Sequence, residues 1–394
     1  MDVLAIRKDF PILNDIIYMD NAATSLTPEP VLKAVIDYYR GCRANVGRGI
    51  YSLAQIADQK YRHAHKKVAS FLDATQGTVI LTRNTTESIN IVAQGLEWKR
   101  GDKIVTTLLE HHSNLLPWMR LRNFGVDLEI LRPDEIGNIE LSDFEKALDE
   151  NTKLVSVTHL SNVFGNILPI EDISEICRDH NTLLLVDGAQ SVPHIPFNMK
   201  ELDCDFLCFS GHKMLGPTGT GILWTKDEKL LEPLMVGGGM IDDVSIDGYQ
   251  RKDGYEGFEA GTPHIAGGIG LGVAIDYLKG IGINEIRAHE AKLTARLLKE
   301  IQGIKGVELY GPANMKERGS VISFNVGSLI PHEVALMFDE ASSILVRSGH
   351  HCCIPLMKHF GLKHGTVRAS LYLYNTAKEV ERFLETLENI AKVA

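Results

Sequence analysis

Short apolar runs that alternate with helical patterns through the first two thirds of the chain predict an α/β fold. Its core would be a mainly parallel sheet with helices on both faces, joined to a smaller α+β domain. Two observations support this. Several runs are apolar without a break, the composition of strands covered on both faces. Helix signals stand between several of them, as crossovers between parallel strands require. A third observation, a change of character from Ala260 onward, marks the second domain. A chain of 394 residues accommodates one large and one smaller domain. The expected division is 16–275 for the large domain, with 1–15 and 276–394 forming the small one.

In chain order, Thr27-Pro28 reads as an N-cap followed by proline at the first helical position. Val31, Val35 and Tyr38 form that helix's apolar face and Gly41 ends it. Strands are expected at Val79–Leu81, Lys103–Thr107, Leu128–Leu131, Leu154–Thr158, Leu183–Val186, Phe206–Phe209 and Gly221–Trp224, seven in all. Ile89, Val92, Ala93 and Leu96 give a helical stripe behind Thr85-Thr86. Val236-Gly237-Gly238-Gly239-Met240 opens a polar segment that reaches about Glu259. A helix-rich stretch then runs from Ala260 to about Ile301, followed by strands at Gly306–Tyr310 and Gly319–Val326. An amphipathic helix near Lys378–Ala391 closes the chain. There is no internal repeat and no low-complexity segment.

Bulk properties exclude several classes of function. With 51 acidic against 41 basic residues the net charge is -10, so no nucleic-acid partner is expected and the acidity is read as solubility. Met1-Asp2-Val3-Leu4-Ala5 is followed by Arg7-Lys8-Asp9, not by the apolar core of a secretory leader. No uninterrupted apolar run approaches membrane-spanning length, so no membrane partner is expected. Six cysteines in a chain this long do not make a disulfide framework. Cys204 and Cys208 stand in apolar surroundings, and Cys42 and Cys177 fall on predicted helices. A cytoplasmic protein with reduced thiols is expected.

Two residues stand in contexts that point to chemistry. Lys213 ends the apolar run Asp205-Phe206-Leu207-Cys208-Phe209-Ser210-Gly211-His212. An unperturbed lysine titrates near about 10.4; an apolar approach and nearby cations lower that value and favour Schiff-base formation. The alternative is a surface lysine at a strand end. Asp187 ends the strand-like run Leu183-Leu184-Leu185-Val186, and ligands of open α/β sheets bind just beyond such strand ends. A carboxylate there either caps a turn or holds a protonated pyridine nitrogen, keeping a pyridoxal ring electron-withdrawing. Arg83-Asn84-Thr85-Thr86-Glu87 lies between a strand and a helix, where backbone N–H groups and hydroxyls either cap the helix or bind an anion. His111, in Glu110-His111-His112, is either structural or stacks on an aromatic cofactor. Cys352 lies in the polar loop Arg347-Ser348-Gly349-His350-His351-Cys352-Cys353. Its thiolate is the reactive form, its unperturbed pKa is about 8.5, and the adjacent histidines and arginine favour ionisation. No metal site is expected there, because zinc patterns space their paired ligands by intervening residues.

These motifs, in this order, resemble the class V, fold-type I pyridoxal-phosphate enzymes: Thr85-Thr86, Glu110-His111-His112, Ser161-Asn162, Asp187-Gly188-Ala189-Gln190 and Ser210-Gly211-His212-Lys213. Asp20-Asn21-Ala22-Ala23, Phe258-Glu259-Ala260-Gly261-Thr262-Pro263 and the Arg347–Cys352 loop narrow the resemblance to cysteine desulfurases of the group II, SufS-like branch. It covers nearly the whole chain. It implies a seven-stranded sheet and pyridoxal 5'-phosphate bound through Lys213, with Asp187 on the pyridine nitrogen and His111 stacked on the ring as an acid or base. Asn162 and Gln190 would lie at the ring hydroxyl. Thr85, Thr86, Ser210 and His212 would lie at the phosphate, with Thr262 contributed by the partner of a homodimer. Arg368 would clamp the carboxylate of L-cysteine with Asn162, and Arg347 would position the loop. Cys352 would take the sulfur as a persulfide, leave alanine, and pass the sulfur to an acceptor protein or iron–sulfur scaffold.

The chain departs from that pattern at three points. Gly47 stands where histidine is usual, although Arg48 is retained. His264 replaces an asparagine after Thr262-Pro263. Cys353 follows the nucleophile where a small residue such as alanine is usual, and it either packs inward or resolves the persulfide. The rival readings are a selenocysteine lyase, another class V reaction such as transamination or racemisation, and a non-catalytic sulfur acceptor. An intact Lys213, Asp187 and His111 argue against the last.

Overall fold

The computed structural model describes residues 1–394. Seven strands form one sheet in the order Thr78–Thr82, Gly221–Thr225, Phe206–Ser210, Leu183–Asp187, Thr152–Thr158, Lys103–Thr107, Asp127–Leu131. From Phe206–Ser210 onward the neighbours pair parallel, while Gly221–Thr225 runs antiparallel to both of its neighbours. That double reversal returns Thr78–Thr82 to the direction of the parallel set. Thr82, Thr107, Thr158, Asp187 and Ser210 therefore all end at one edge of the sheet.

The unbroken apolar runs are explained by two cores, one on each face. Val79, Val105, Val155, Leu184, Leu207, Phe209 and Ile222 pack into one, with helices Ser52–Phe71, Ile170–Asp179 and Ile265–Ile281. Their sequence neighbours Ile80, Ile104, Leu154, Leu185, Phe206, Cys208 and Leu223 pack into the other, with helices Thr85–Gly95 and Leu116–Leu121. Because side chains alternate across a strand, apolar residues are needed at every position.

A second sheet, wholly antiparallel, has the order Val307–Tyr310, Val321–Val326, Thr366–Ser370, Arg347–Gly349. Its core contains Ile322, Phe324, Val367 and Ala369, against Leu293 and Leu297 of helix Ile283–Ile301 and Val334 and Phe338 of helix Pro331–Ser342. Helix Ala377–Ala391 adds Val380, Phe383, Leu387 and Ile390. A capping box starts that helix: Glu379 N–H donates to Thr376 Oγ1 at 3.2 Å, and Thr376 N–H donates to Glu379 Oε2 at 2.8 Å.

Four expectations shift. The first long helix is Glu29–Gly41, with Pro28 rather than Thr27 at its cap and no side-chain cap bond. Its start is set by a tertiary contact, since Glu29 N–H donates to the Asp9 carbonyl at 2.9 Å. The strands of the second sheet begin at Val307 and Val321, not at Gly306 and Gly319. Gly306 is a turn residue at φ +86°, and Gly319 N–H donates to the Gly165 carbonyl. The polar segment before Glu259 contains an antiparallel hairpin, Ile241–Val244 with Tyr249–Arg251. The helix-rich stretch is broken at Gly282 (φ +94°) with a 72° bend. No single helix is long and apolar enough to cross a membrane.

Candidate active site

At the carboxyl edge of the large sheet lies a cavity of about 410 Å³. Each predicted site residue except Thr262 lines it, those of the large sheet from one side and Arg347, Cys352 and Arg368 from the other. Thr262 lies in a separate cleft with Gly47 and Arg48.

Lys213 ends a single 3-10 turn, Gly211–Lys213, that directly follows the strand Phe206–Ser210. Burial pushes its amine down to about 8; Asp187 opposes that shift and Arg368 adds to it. Asp187 is the last residue of its strand and is buried. Oδ1 accepts from the Ala189 N–H at 2.9 Å. Burial raises its pKa, with the charge of Lys213 opposing. A carboxyl and an amine are thus both driven toward neutrality at the floor of one cavity.

His111 is held by Ser113. Its Nδ1 accepts from the Ser113 N–H at 3.1 Å, and the Ser113 hydroxyl lies 2.9 Å from the same nitrogen. An accepting Nδ1 leaves the proton of the neutral ring on Nε2. Burial, then the charges of Lys213, His112 and Arg368, push His111 down to about 3, so the ring is neutral throughout the working range. Thr86 Oγ1 lies 2.7 Å from Ser113 Oγ, which links the hydroxyl end of the cavity to His111.

That hydroxyl end is built at the start of helix Thr85–Gly95. Asn84 caps the helix, Oδ1 accepting from the Glu87 N–H at 3.0 Å. Thr85 Oγ1 and Ser210 Oγ lie 2.6 Å apart, and Ser210 Oγ also accepts from the Thr85 N–H. His212, neutral because burial and Lys213 push it down to about 4, lines the same cavity. Hydroxyls gathered at a helix N-terminus suit an anion.

At the opposite end Arg368 is buried in the second sheet. Its Nη1 donates to the Asn162 carbonyl at 2.9 Å and its Nη2 to Asp20 Oδ1 at 3.1 Å, while Nε is buried without a partner. Arg347 reaches the other Asp20 oxygen at 3.3 Å. Asn162 Nδ2 donates to the His351 carbonyl at 2.9 Å, and Gln190 Nε2 donates to the Ala22 carbonyl at 2.7 Å. Cys352 is exposed at the cavity's rim. Cys353 turns inward instead, its buried thiol donating to the Glu110 and Leu108 carbonyls.

Three contributors carry no sequence signal of their own. Asp20 opens a motif noted for its pattern alone, and its function depends on Arg368, 348 positions away. Ser113 lies beside the Glu110-His111-His112 motif, and that flank is the available signal. His351, expected to favour ionisation of Cys352, is instead held neutral by burial and serves the cavity through its carbonyl, which accepts from Asn162. Glu110 is buried beneath the floor, accepting from Thr107 Oγ1, Asn114 Nδ2 and the Thr158 N–H, and burial raises it to about 8.

The donor set fits pyridoxal 5'-phosphate: a buried amine with a depressed pKa, a buried carboxyl, a neutral imidazole, and hydroxyls at a helix N-terminus. The Arg368 guanidinium, with its buried Nε left without a partner, adds a fixed cation to the same cavity.

The sequence model of the family described as aminotransferase class-V matches residues 17–383. A Methanothermobacter thermautotrophicus protein named probable cysteine desulfurase is 47% identical over 392 residues, covering 98% of this chain and 97% of that one. The apo structure of a cysteine desulfurase from Thermococcus onnurineus superposes with a TM-score of 0.96 at 48% identity, covering 99% of this chain and 98% of that one. The cysteine desulfurase CsdA (S-sulfonic acid) from Escherichia coli superposes with a TM-score of 0.92 at 30% identity, covering 100% of this chain and 99% of that one.

Proposed function

The chain belongs to the aminotransferase class-V family, and from that premise we propose that it is a cysteine desulfurase, taking sulfur from L-cysteine onto Cys352 and releasing L-alanine. The observation that carries this reading is the presence of Lys213 and Cys352 in one cavity, an amine on its floor and an exposed thiol at its rim.

Pyridoxal 5'-phosphate, when bound, supplies the electron sink that labilises the substrate Cα–H bond and weakens the Cβ–Sγ bond. Lys213 Nζ would be its covalent attachment and Asp187 its partner at the pyridine nitrogen. His111 would lie against the ring, with Asn162 and Gln190 at the ring hydroxyl. Thr85, Thr86, Ser210 and His212 would hold the phosphate, with Thr262 supplied by the second subunit of a homodimer.

Arg368, whose guanidinium lines the cavity, is suited to bind the substrate carboxylate, since a planar guanidinium matches a carboxylate bidentately. Asn162 fixes Arg368 through its carbonyl, and Asp20 keeps Arg368 and Arg347 aligned. The Lys213 amine is placed to take the substrate Cα proton, and a pKa near 8 leaves it able to accept and return one near neutral pH. The Cys352 thiolate attacks the substrate Sγ. An S–S bond forms, the Cβ–Sγ bond breaks, its electron pair stays on carbon, and protonation makes the methyl group of alanine. The persulfide sulfur then passes to a thiol reductant, an acceptor protein or an iron–sulfur scaffold.

The Arg347–Cys352 loop supports placing the chain in the group II, SufS-like branch. Residues 276–394 with 1–15 are proposed as the smaller unit that presents this loop to 16–275. Six free thiols, one of them to be persulfurated, suit the cytoplasm.

The test is alanine and sulfide production from L-cysteine by the cofactor-loaded protein with a thiol reductant present. Stoichiometric alanine and sulfide are expected. Cys352→Ser should abolish persulfide formation and leave the cofactor spectrum near that of the wild type. Unchanged alanine turnover in that variant would remove Cys352 from the role.

A further inference from the structure

The segment that carries His111 is tied directly to the turn that carries Cys352. The His112 N–H donates to the Cys352 carbonyl at 2.7 Å. In the opposite direction, the Ile354 N–H donates to His112 Nε2 at 3.1 Å. The Cys353 thiol adds bonds to the Glu110 carbonyl at 3.2 Å and the Leu108 carbonyl at 3.4 Å. These contacts close around Cys352, which lies between the two His112 bonds.

The turn needs such support. His351 (φ +49°) and Cys352 (φ +56°) are consecutive non-glycine residues in the left-handed region, where Cβ crowds the backbone carbonyl. Such a conformation persists only where the surroundings over-determine it. The helix Ile354–His359 that follows has no side-chain cap of its own. His112 supplies the acceptor from 242 residues away. An accepting Nε2 carries no proton, so the ring is neutral with its hydrogen on Nδ1. Burial and the neighbouring His350 both favour that form, as does the positive end of the helix. His112 does not line the cavity, so it acts on the reaction only through its neighbours Cys352 and His111, and the cofactor absorbance reports any effect that passes through His111.

We propose that His112 is a positioning residue for Cys352, its backbone N–H and neutral ring together pinning the strained turn so that the thiol meets the substrate sulfur. The proposal rests on Cys352 being the sulfur acceptor.

The experiment compares holoenzyme of the wild type, His112→Leu and His112→Gln. Leucine occupies the space without accepting a hydrogen bond; glutamine restores an acceptor oxygen. Persulfide on Cys352 is quantified in a single turnover with L-cysteine, alongside the cofactor absorbance. Amide exchange over residues 349–356 is measured without substrate. His112→Leu should form persulfide about tenfold more slowly, and His112→Gln should stay within about threefold of wild type. The cofactor absorbance should be the same in all three, and exchange should quicken only in the leucine variant. Wild-type rates in His112→Leu, exchange unchanged by it, failure of glutamine to rescue, or loss of cofactor absorbance would each overturn the proposal. If the wild type itself forms no persulfide, the sulfur-acceptor reading falls, and with it the catalytic role of His112; the exchange comparison then decides whether the latch itself exists.

Discussion

Lys213 and Asp187 approach neutrality for the same reason, burial, although their charges would attract each other. For the cofactor-free protein this fixes a pH dependence. Only the unprotonated amine attacks an aldehyde, so cofactor uptake should rise with pH and level off just above about 8, well below the ordinary lysine range. The unfolded chain keeps that proton up to 10.5 while the folded chain releases it near about 8. Between these values the unfolded state binds more protons, so the stability of the cofactor-free protein should rise with pH through that window. Stopped-flow uptake and denaturant melts across pH 7–11 test both limbs. An uptake limb still rising at 10 would place the amine in water. His111, already neutral, should contribute no limb of its own.

At the scale of elements, the anion end depends on how closely the strand Gly221–Thr225 passes the turn before helix Thr85–Gly95. A Cβ on Gly221 would lie 2.5 Å from Asn84 Cα and 2.7 Å from Asn84 N and C, all backbone atoms that cannot rotate away. Gly221→Ala must displace the turn carrying Thr85 and Thr86. We expect a loss of about 1–3 kcal/mol in unfolding free energy, with weaker cofactor binding by spectroscopic titration. Unchanged values of both would mean that the strand shifts freely. The same close approach is not visible in sequence, where Gly221 reads only as the start of a strand. The helix stripe Ile89, Val92, Ala93 and Leu96 was legible, because its partners repeat at helical spacing within one segment.

At the scale of the whole molecule, the cavity is where the large two-faced sheet meets the second sheet, so each half contributes groups that are incomplete alone. Arg368 needs Asp20 and Asn162 from outside its own sheet. The second core is locally self-sufficient: Phe383 stacks on Phe338 with ring centroids 4.7 Å apart and packs edge-on against Phe324. Phe383→Ala should cost about 3–5 kcal/mol in denaturant unfolding. Because no cofactor-attaching residue lies in that core, the holoenzyme spectrum at ambient temperature should survive while Cys352 persulfuration falls. A variant that loses the spectrum first would place the weakness in the large sheet instead.

By itself the sequence determined the α/β architecture and the seven strands of the large sheet, because that signal is local: a both-faces-buried strand is apolar at every position. Taken singly, Lys213, Asp187, His111 and Cys352 each admit a purely structural reading, and only the motifs in combination point to a site. Only the tertiary structure decided what depends on distant partners. It set the start of helix Glu29–Gly41 through Asp9, turned Cys353 inward rather than toward Cys352, gave Asp20 its two arginines, and brought His112 to the helix behind Cys352. A hydrogen bond between residues hundreds of positions apart leaves no periodicity in either segment; it exists only once both cores have closed.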